Sequence, residues 1–320
     1  MGKVAQVLIT GYWPDRVPRR IGVPQKPLGE QYLAAAAKAG DAPAILAGGG
    51  VTITHDALLA QVRLLAAGIA ALVDVRGTVA LAGQDRAAII ALILAAQVAG
   101  CRAAIVDDRR PGGVAAALAA LAPDLTITTD ATLPASDVPR VLTPAQVEAA
   151  GDRPGERRSR WRDVAVLLPE EQGFAGHGHV STTAMVKALT TYIPLLERAD
   201  AVLAGPLHRW DGYALAMTAI LSGRAVVLDP AHPGLAPRDA WGVLSRAQAD
   251  AIVQAGRAPD WARRVRLLFV VLSDFDVRWR KRLESALGRA TPRPSGGRSA
   301  LARRSAPIPA GHRWTCTACR

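Results

Sequence analysis

An α/β fold, with helices packed on parallel strands, is predicted by the order of patterns in this sequence and by its composition. Short apolar strand patterns alternate with longer helix patterns along most of the 320 residues, which is typical of βαβ units. Hydrophobic residues make up 50% of the chain but aromatic residues only 4%, so Ala, Leu and Val must supply the core. That composition suits helices covering a parallel sheet.

Five segments differ in composition. Residues 1–26 form an irregular lead that carries several Pro and Arg residues. Residues 27–150 and 163–287 show the strand–helix alternation, and we interpret them as two α/β lobes. Between them, residues 151–162 (GDRPGERRSRWR) are charged and marked by Gly and Pro, which predicts a linker. Residues 288–320 form a basic tail in which hydrophobic periodicity stops.

The first lobe begins with a helix over 27–40, followed by a small hairpin that turns at Gly48, Gly49 and Gly50. Thr54 can cap the next helix, which continues to residue 72. The apolar face of this helix consists of Leu58, Leu59, Val62, Leu65 and Ile69. Further strands are predicted over 78–82, 103–107 and 125–128, and further helices over 85–99, 112–121 and 144–150.

The second lobe begins with a buried strand over 164–168, a segment bearing Gly173, Gly176 and Gly178, and a helix that starts near Ser181. We expect further helices over 182–195, 210–221, 237–245 and 277–287. Further strands are expected over 201–203, 225–228, 251–253 and 267–272.

The three glycines of that segment have the shape of an anion-binding loop. Glycine lets a backbone approach a phosphate, and the N–H groups at a helix start attract its charge. The same segment carries Glu170 and Glu171, however, and no Lys or Arg lies between residues 163 and 187. Two carboxylates repel a phosphate. The residues therefore leave two interpretations open, a degenerate nucleotide loop or an ordinary strand–helix connection.

The net charge of +12 does not by itself indicate a nucleic-acid partner. Residues 288–320 hold seven Arg and no acidic residue, so this tail contributes +7 and the remainder +5. No basic face interleaved with aromatic residues is evident in the body, and we expect no nucleic acid. The three cysteines do not form a disulfide framework, which favours a cytoplasmic protein. The apolar window 87–106 divides into a helix and a strand, so no membrane segment is expected.

VTITHDALLAQVRLLAAGIAAL, from Val51, resembles the motif lTyaeLdarvnrlAagL of adenylate-forming enzymes, the family of acyl- and aryl-CoA ligases, peptide-synthetase adenylation domains and luciferases. Three further stretches resemble motifs of this family and follow in the family's order. The stretch from Arg76 to Pro111 resembles the family's GDrVal and vPldp motifs. DVAVLLPEEQGFAGHGHVSTTAM, from Asp163, falls where the family has its TSGSTGxPKG phosphate loop. PLHRWDGYALAMTAILSGRAVVLDP, from Pro206, resembles PLfH…G…GgtvvL.

The resemblance implies the family's large N-terminal domain and its chemistry. A carboxylate attacks the α-phosphorus of ATP to give an acyl-adenylate, Mg²⁺ offsets the phosphate charge, and a thiol of coenzyme A or phosphopantetheine then takes the acyl group. The partners implied are a carboxylic acid or an acyl carrier protein. Gly173, Gly176 and Gly178 correspond to a remnant of the nucleotide loop. His208 matches the pocket-side histidine of the family, with Trp210 and Gly212 beside it.

Departures from the family pattern predict a truncated and inactive member with no intact catalytic residue. EEQGFAGHGH replaces the hydroxyl-rich, lysine-bearing phosphate loop, and the small C-terminal domain with its catalytic lysine is not recognisable. The alternative is a non-catalytic scaffold that holds an acyl group or a carrier protein. His177 and His179 lack a third ligand, and Cys316 and Cys319 lack a second pair, so no metal is expected.

The tail, residues 288–320, has two interpretations. Its Arg, Pro, Ser and Gly content predicts a disordered segment. The same residue mix is also typical of GC-rich codons read out of frame, so the tail is alternatively a frameshift product. A frame built from the third base of each codon permits a W-G-T-like word near residues 294–298 and P-H-P-S-W near 306–311, as an ancestral continuation would.

Overall fold

Two β-sheets with helices between and around them form the framework in the computed structural model. The structure describes residues 21–107, 113–130, 141–152, 154–171, 173–192, 201–203, 205–229, 240–244, 246–257, 265–272, 277–286, 305–307 and 313–318. The predicted irregular lead therefore lies outside the described residues, except for residues 21–26.

The elements of the first half follow the predicted alternation. In chain order they are α1 (Leu28–Ala39), β1 (Pro43–Leu46), β2 (Thr52–Thr54), α2 (His55–Leu72), β3 (Thr78–Ala82), α3 (Arg86–Val98), β4 (Arg102–Ile105), α4 (Gly113–Leu121), β5 (Leu125–Thr128), β6 (Val141–Leu142) and α5 (Pro144–Ala150). The side chain of Thr54 accepts a hydrogen bond from the N–H of Ala57, which confirms the predicted cap of α2.

The second half contains β7 (Val164–Glu170), β8 (Gly173–Gly178), α6 (His179–Tyr192), β9 (Ala201–Leu203), α7 (Trp210–Leu221), β10 (Ala225–Val227), β11 (Ala240–Leu244), α8 (Arg246–Ala255), β12 (Val265–Leu272), α9 (Val277–Ala286), β13 (Ser305–Pro307) and β14 (Arg313–Ala318). The helix predicted over 237–245 and the strand predicted over 251–253 are wrong. The stretch at 240–244 is a short apolar strand, and Ala249, Ile252 and Val253 are buried at the spacing of one helix face.

Both sheets combine strands from the two halves of the sequence. The six-stranded sheet has the order β6-β5-β3-β4-β7-β8, and the eight-stranded sheet has the order β13-β14-β12-β11-β9-β10-β1-β2. Ala103 on β4 pairs in parallel with Val166 on β7, and Ile45 on β1 pairs in parallel with Val226 on β10. The two predicted α/β lobes are therefore joined through shared sheets, and residues 151–162 do not separate the sheets.

Helices α3 and α7 lie between the sheets. Helix α3 packs on β3 and β4 of the six-stranded sheet, while α7 packs on β9 and β10 of the eight-stranded sheet, and both contact α1. Every residue of α3 from Ile89 to Val98 is buried. The side-chain amide of Gln97 on α3 donates a hydrogen bond of 3.1 Å to the hydroxyl of Tyr213 on α7, so a polar contact joins the two layers inside the core.

Helix α2 is amphipathic, with one face on the core. By its length and composition alone this helix could span a membrane, but half of its length is buried inside the fold. Gly68 on this helix is fully enclosed: a Cβ built there would lie 1.8 Å from the carbonyl oxygen of Val147 on α5. Only glycine permits the two helices to approach so closely.

The predicted linker, described at residues 151, 152 and 154–162, forms a strap (residues 154–162) that packs along α2 at Gly155 and Arg157. Gly155 is buried, and a Cβ at this position would lie 2.2 Å from the backbone of Ala66. The guanidinium of Arg157 donates hydrogen bonds to the carbonyls of Ala70 and Val73, where α2 ends. Arginine at this position satisfies carbonyls that have no partner within the helix and complements the helix dipole.

Two strands lie inside the tail for which composition predicts disorder. Strand β14 pairs antiparallel with β12, and β13 pairs antiparallel with β14 at the edge of the eight-stranded sheet. The sequence of β14, RWTCTA, contains Trp and two Thr residues, which suit a pleated sheet. The structure thus differs from the prediction at these two segments, and the origin of the tail stays a hypothesis.

Replacing Arg157 by Ala should lower the free energy of unfolding by about 1–3 kcal/mol, because two carbonyls at the end of α2 lose a charged donor. Urea denaturation followed by circular dichroism measures the change. Arg158→Ala is the matched control, since Arg158 is exposed and has no described hydrogen bond. We expect that control to remain within about 0.5 kcal/mol of the parent. Equal losses in the two variants would contradict the capping role of Arg157.

Candidate functional site

The carboxyl ends of the parallel strands β3, β4, β5 and β7 meet at one edge of the six-stranded sheet, where ligands of open α/β folds commonly bind. Asp107 follows β4 at this edge, and Glu170 is the last residue of β7. The start of α7, with His208 just before it, lies against the same edge, because the Nε2 of His208 is 3.5 Å from the Oδ2 of Asp107.

The glycine-bearing segment predicted as a loop is the second strand of a hairpin. Residues 173–178 form β8, which pairs antiparallel with β7 from Glu170↔Gly173 to Val164↔Gly178. The loop prediction is therefore wrong, and helix α6 begins at His179 instead of near Ser181. An edge strand following β7 needs only a short turn, and this arrangement places the backbone of the segment in a β-ladder instead of around a phosphate.

The three glycines have structural explanations of different strength. Gly173 closes the hairpin with φ 118°, a conformation that side chains rarely adopt. A Cβ on Gly178 would lie 3.3 Å from the carbonyl oxygen of Asp163. A Cβ on Gly176 would meet the Val164 side chain at 3.4 Å. Their role as a remnant of a nucleotide loop stays a prediction.

An aromatic contact joins the hairpin to α7. The imidazole of His177 on β8 stacks on the indole of Trp210, with ring centroids 4.1 Å apart and an interplanar angle of 16°. Tyr213 lies one turn further along α7, with its ring centroid 5.8 Å from that of Trp210. Burial lowers the pKa of His177, although the negative charge of Glu170 acts in the opposite direction. The stacked ring is therefore neutral at pH 7.

The predicted acyl-pocket residues lie together at the start of α7; they are His208, Trp210 and Gly212. Glycine at position 212 is also required by the local packing. A Cβ at Gly212 would lie 2.1 Å from the carbonyl oxygen of Pro206, so the segment before the helix folds back tightly over its first turn. The guanidinium of Arg86, at the start of α3, donates a hydrogen bond of 2.7 Å to the carbonyl of Gly205 in the same segment. This contact holds the segment against the first half of the chain.

His177 and His179, which the sequence places two residues apart, have different surroundings. His179 is 1% exposed, and its Nδ1 accepts a hydrogen bond from the N–H of Leu28 at the start of α1. Its Nε2 lies 3.2 Å from the hydroxyl of Ser159 in the strap, so Nε2 carries the proton and donates it. Within the described ranges there is no group of three or more His, Cys, Asp or Glu side chains that could hold a metal ion.

Sequence reasoning missed Asp107 and Arg86, and it considered His179 only as a possible metal ligand. Asp107 could have been found, because it is the last residue of a predicted strand, at the edge of a parallel sheet where ligands bind. A cation at the beginning of an otherwise apolar helix was a signal for Arg86. No local pattern distinguishes His179, since its partners lie far away in the sequence.

The hairpin does not fit the triphosphate and Mg²⁺ that the resemblance implies. Glu170 and Glu171 are both exposed at its turn, and no cation lies in the sequence between residues 163 and 187. The N–H groups of the glycine segment that face β7 are paired in the ladder and do not form a phosphate cradle. No step through a bound nucleotide can therefore be derived from these residues.

No family model and no curated protein sequence matches the chain. Solved structures do match in fold. VinN aligns with a TM-score of 0.66 and 17% identity over 83% of this chain and 73% of its own. The unliganded O-succinylbenzoate coenzyme A synthetase MenE from Bacillus subtilis aligns at 0.63 and 15% identity over 82% of this chain. The AMPPNP-bound nonribosomal peptide synthetase FmoA3 aligns at 0.67 and 19% identity over 85% of this chain.

The chain spans 60% of the length of MenE and 31% of that of FmoA3. At these identities the likeness shows the fold alone. The chain has the α/β fold of the N-terminal domain of adenylate-forming enzymes, as the order of its sequence motifs predicted.

Stability should decrease as the pH falls below 6.5, with His179 as a main cause. Burial lowers the pKa of His179 to about 4, against which the Asp163 charge acts weakly. Below pH 6.5 His179 binds a proton in the unfolded chain but not in the folded chain. The contribution of neutral His179 to the free energy of unfolding is therefore lost between pH 6.5 and pH 4. The loss from pH 7 to pH 5 is about 2 kcal/mol.

Urea denaturation at pH 7 and pH 5 measures this loss, and His179→Asn is the informative variant. The amide oxygen of Asn can accept the hydrogen bond of Leu28 but does not titrate. Burial also lowers the pKa of His55 and His177, so the variant should retain part of the pH dependence. An unchanged difference between the two pH values in the variant would show that His179 is not responsible.

Proposed function

We propose that this chain, which has the fold of an adenylate-forming N-terminal domain, is related to ATP-dependent acid–thiol ligases but does not itself activate a carboxylate as an acyl-adenylate. One observation supports the proposal: the segment that resembles the family's phosphate loop in motif order forms the β7–β8 hairpin, which presents Glu170 and Glu171 with no Lys or Arg in the segment. The names of the structural neighbours MenE and FmoA3, a coenzyme A synthetase and a peptide synthetase, support the reaction class.

The argument is electrostatic. A triphosphate brings several negative charges, and a site stabilises them with preorganised N–H donors, hydroxyls, cations or Mg²⁺. Here two exposed carboxylates stand at the turn, and the neighbouring backbone is paired in a ladder. Loss of a single preorganised donor typically reduces a rate by about 10²–10³. Replacing the whole cradle by a hairpin with two like charges therefore removes adenylation.

Pyrophosphate exchange tests this directly. The purified chain, incubated with ATP, Mg²⁺ and a panel of aliphatic, aromatic and amino acids, should show no acid-dependent exchange of labelled pyrophosphate into ATP. An active ligase of the same fold, assayed with the same panel, serves as the positive control. Glu170→Gln combined with Glu171→Gln should remain inactive, because removing the repulsion does not restore the missing donors. Robust acid-dependent exchange by the parent chain would overturn the proposal.

A second function is favoured by the cluster at the start of α7. Trp210 supplies an apolar ring there, and His208 and Asp107 supply polar groups 3.5 Å apart. Apolar walls with a few convergent polar groups are typical of small-molecule sites. The chain would then act as a scaffold that holds a carboxylic acid, or the acyl group of a carrier protein, without activating it.

Calorimetric titration with aryl and acyl carboxylic acids tests this second function. We expect a ligand of this class to bind, and Trp210→Ala to weaken its binding about tenfold or more, because an aromatic wall of the site is lost. Trp161→Ala is the matched control, since Trp161 lies in the strap and not at the start of α7. Absence of binding across the panel, or equal affinity in Trp210→Ala, would count against the scaffold function.

A further inference from the structure

A basic trough crosses the edge of the six-stranded sheet that is opposite to the candidate site. It consists of two open depressions, each of about 400 Å³, that share Ser159 and Arg162. Arg76, Arg102 and Val164 line one of them and stand at the starts of β3, β4 and β7, whereas Asp107 and Glu170 mark the other end of these strands. The trough is thus separate from the site described above.

Arginine dominates the trough. Arg76, Arg102, Arg160 and Arg162 line it, and Asp163 and Glu30 are the acidic residues among the described lining. Asp163 is already engaged: its carboxylate accepts hydrogen bonds of 2.9 Å from the Nε of Arg76 and from the N–H of Arg160. Burial would raise the pKa of Asp163, but these two bonds and the Arg76 charge lower it, so the group stays ionised. The described lining of the trough therefore carries a net positive charge.

Two of the guanidinium groups are held in place by the fold. The Nε of Arg76 donates to Asp163, and the Nε of Arg102 donates 2.9 Å to the carbonyl of Arg76. Each bond restrains the side chain at Nε, and no described hydrogen bond occupies the terminal nitrogens. Guanidinium groups that are already ordered lose less conformational entropy when they bind a carboxylate.

The charge of the chain restricts what can occupy the trough. Its residues 1–20 contain four cations and one acid, and residues 288–320 contain seven Arg and no acid, so neither terminal segment complements the trough. A second copy of the chain, with its net charge of +12, is repelled as well. The complementary occupant is a different molecule with a surplus of negative charge.

The aromatic residue of the trough distinguishes two kinds of polyanion. Single-stranded nucleic acids gain affinity by stacking bases on open aromatic rings. Trp161 is half-buried, and the guanidinium of Arg162 lies over its ring at 4.9 Å from the centroid. One face of the ring is therefore occupied by a guanidinium, which leaves less aromatic surface for a base. Carboxylates need only the guanidinium groups, with which they form paired hydrogen bonds.

We propose that the trough binds an acidic segment of a partner protein, with its carboxylates paired to Arg76, Arg102, Arg160 and Arg162. The two depressions adjoin at Ser159 and Arg162, so their arginines can pair with several carboxylates of one chain. The proposal does not depend on whether the chain adenylates a substrate, because the trough and the hairpin turn lie at opposite ends of β7.

The experiment uses a fluorescein-labelled poly-glutamate peptide as the probe and the full chain at low ionic strength, with fluorescence anisotropy as the readout. The peptide should bind, and binding should weaken as salt is added. Arg162→Glu and Arg160→Glu should each weaken it about tenfold, because a favourable charge pair becomes a repulsive one. Arg257→Glu is the matched control: it is exposed, makes the same change in net charge and does not line the trough.

Three results would overturn the proposal. The first is absence of peptide binding, or an equal loss of affinity in Arg257→Glu and in the two trough variants. The equal loss would show that the peptide responds only to the overall positive charge of the chain. The second is tighter binding of a labelled oligothymidylate with the same losses in the trough variants, which would assign the surface to nucleic acid. The third is complete displacement of the peptide by inorganic phosphate at the same concentration of anionic groups, which would indicate a small-anion site. Circular dichroism confirms that the variants are folded.

Discussion

Burial of helix α3 on all sides from Ile89 to Val98 is the constraint on which the rest of the structure depends. Its residues from Ile89 to Val98 are all buried, so every face of this helix needs a neighbour. Strands β3 and β4 cover one side, α2 and α1 cover others, and α7 lies beyond them on the second sheet. The close approach requires glycine on the neighbouring helix, because a Cβ at Gly29 of α1 would lie 2.6 Å from the carbonyl oxygen of Gln97.

Hydrogen bonds between segments that are distant in the sequence add to this apolar packing. Arg86 ties the start of α3 to the segment before α7, His179 ties α6 to α1 and to the strap, and Arg157 ties the strap to the end of α2. Each contact involves a buried or half-buried group that would be costly without its partner. Together they explain why a sequence with two lobes forms one framework of shared sheets.

The functional conclusion follows from the two ends of the six-stranded sheet. At the carboxyl end, the hairpin carries Glu170 and Glu171 at its turn, and Trp210 stacks on His177 beside it. At the opposite end, Arg160 and Arg162 of the strap lie beside Arg76 and Arg102 at the starts of β3 and β4. Our two proposals, a ligase-like fold that does not adenylate and a trough that binds an acidic partner, rest on these two sets of charges.

Periodicity and turn residues in the sequence predicted most of the helices and strands correctly, because burial on one helix face and alternation of strands with helices are local patterns. The order of the family motifs could also be read from the sequence. Strand β11 and helix α8 were predicted wrongly, since a short apolar run is compatible with either structure until its neighbours are known. The charges around Glu170 and the grouping of His208, Trp210 and Gly212 were also visible in the sequence.

The tertiary structure decided which strands share a sheet, that residues 173–178 form a strand, and that the strap packs on α2. It also brought together His177 with Trp210, Asp107 with His208, and Arg76 with Asp163. These pairs join residues far apart in the chain. Their proximity depends on how the buried helices set the two sheets against each other, and no local pattern contains that information.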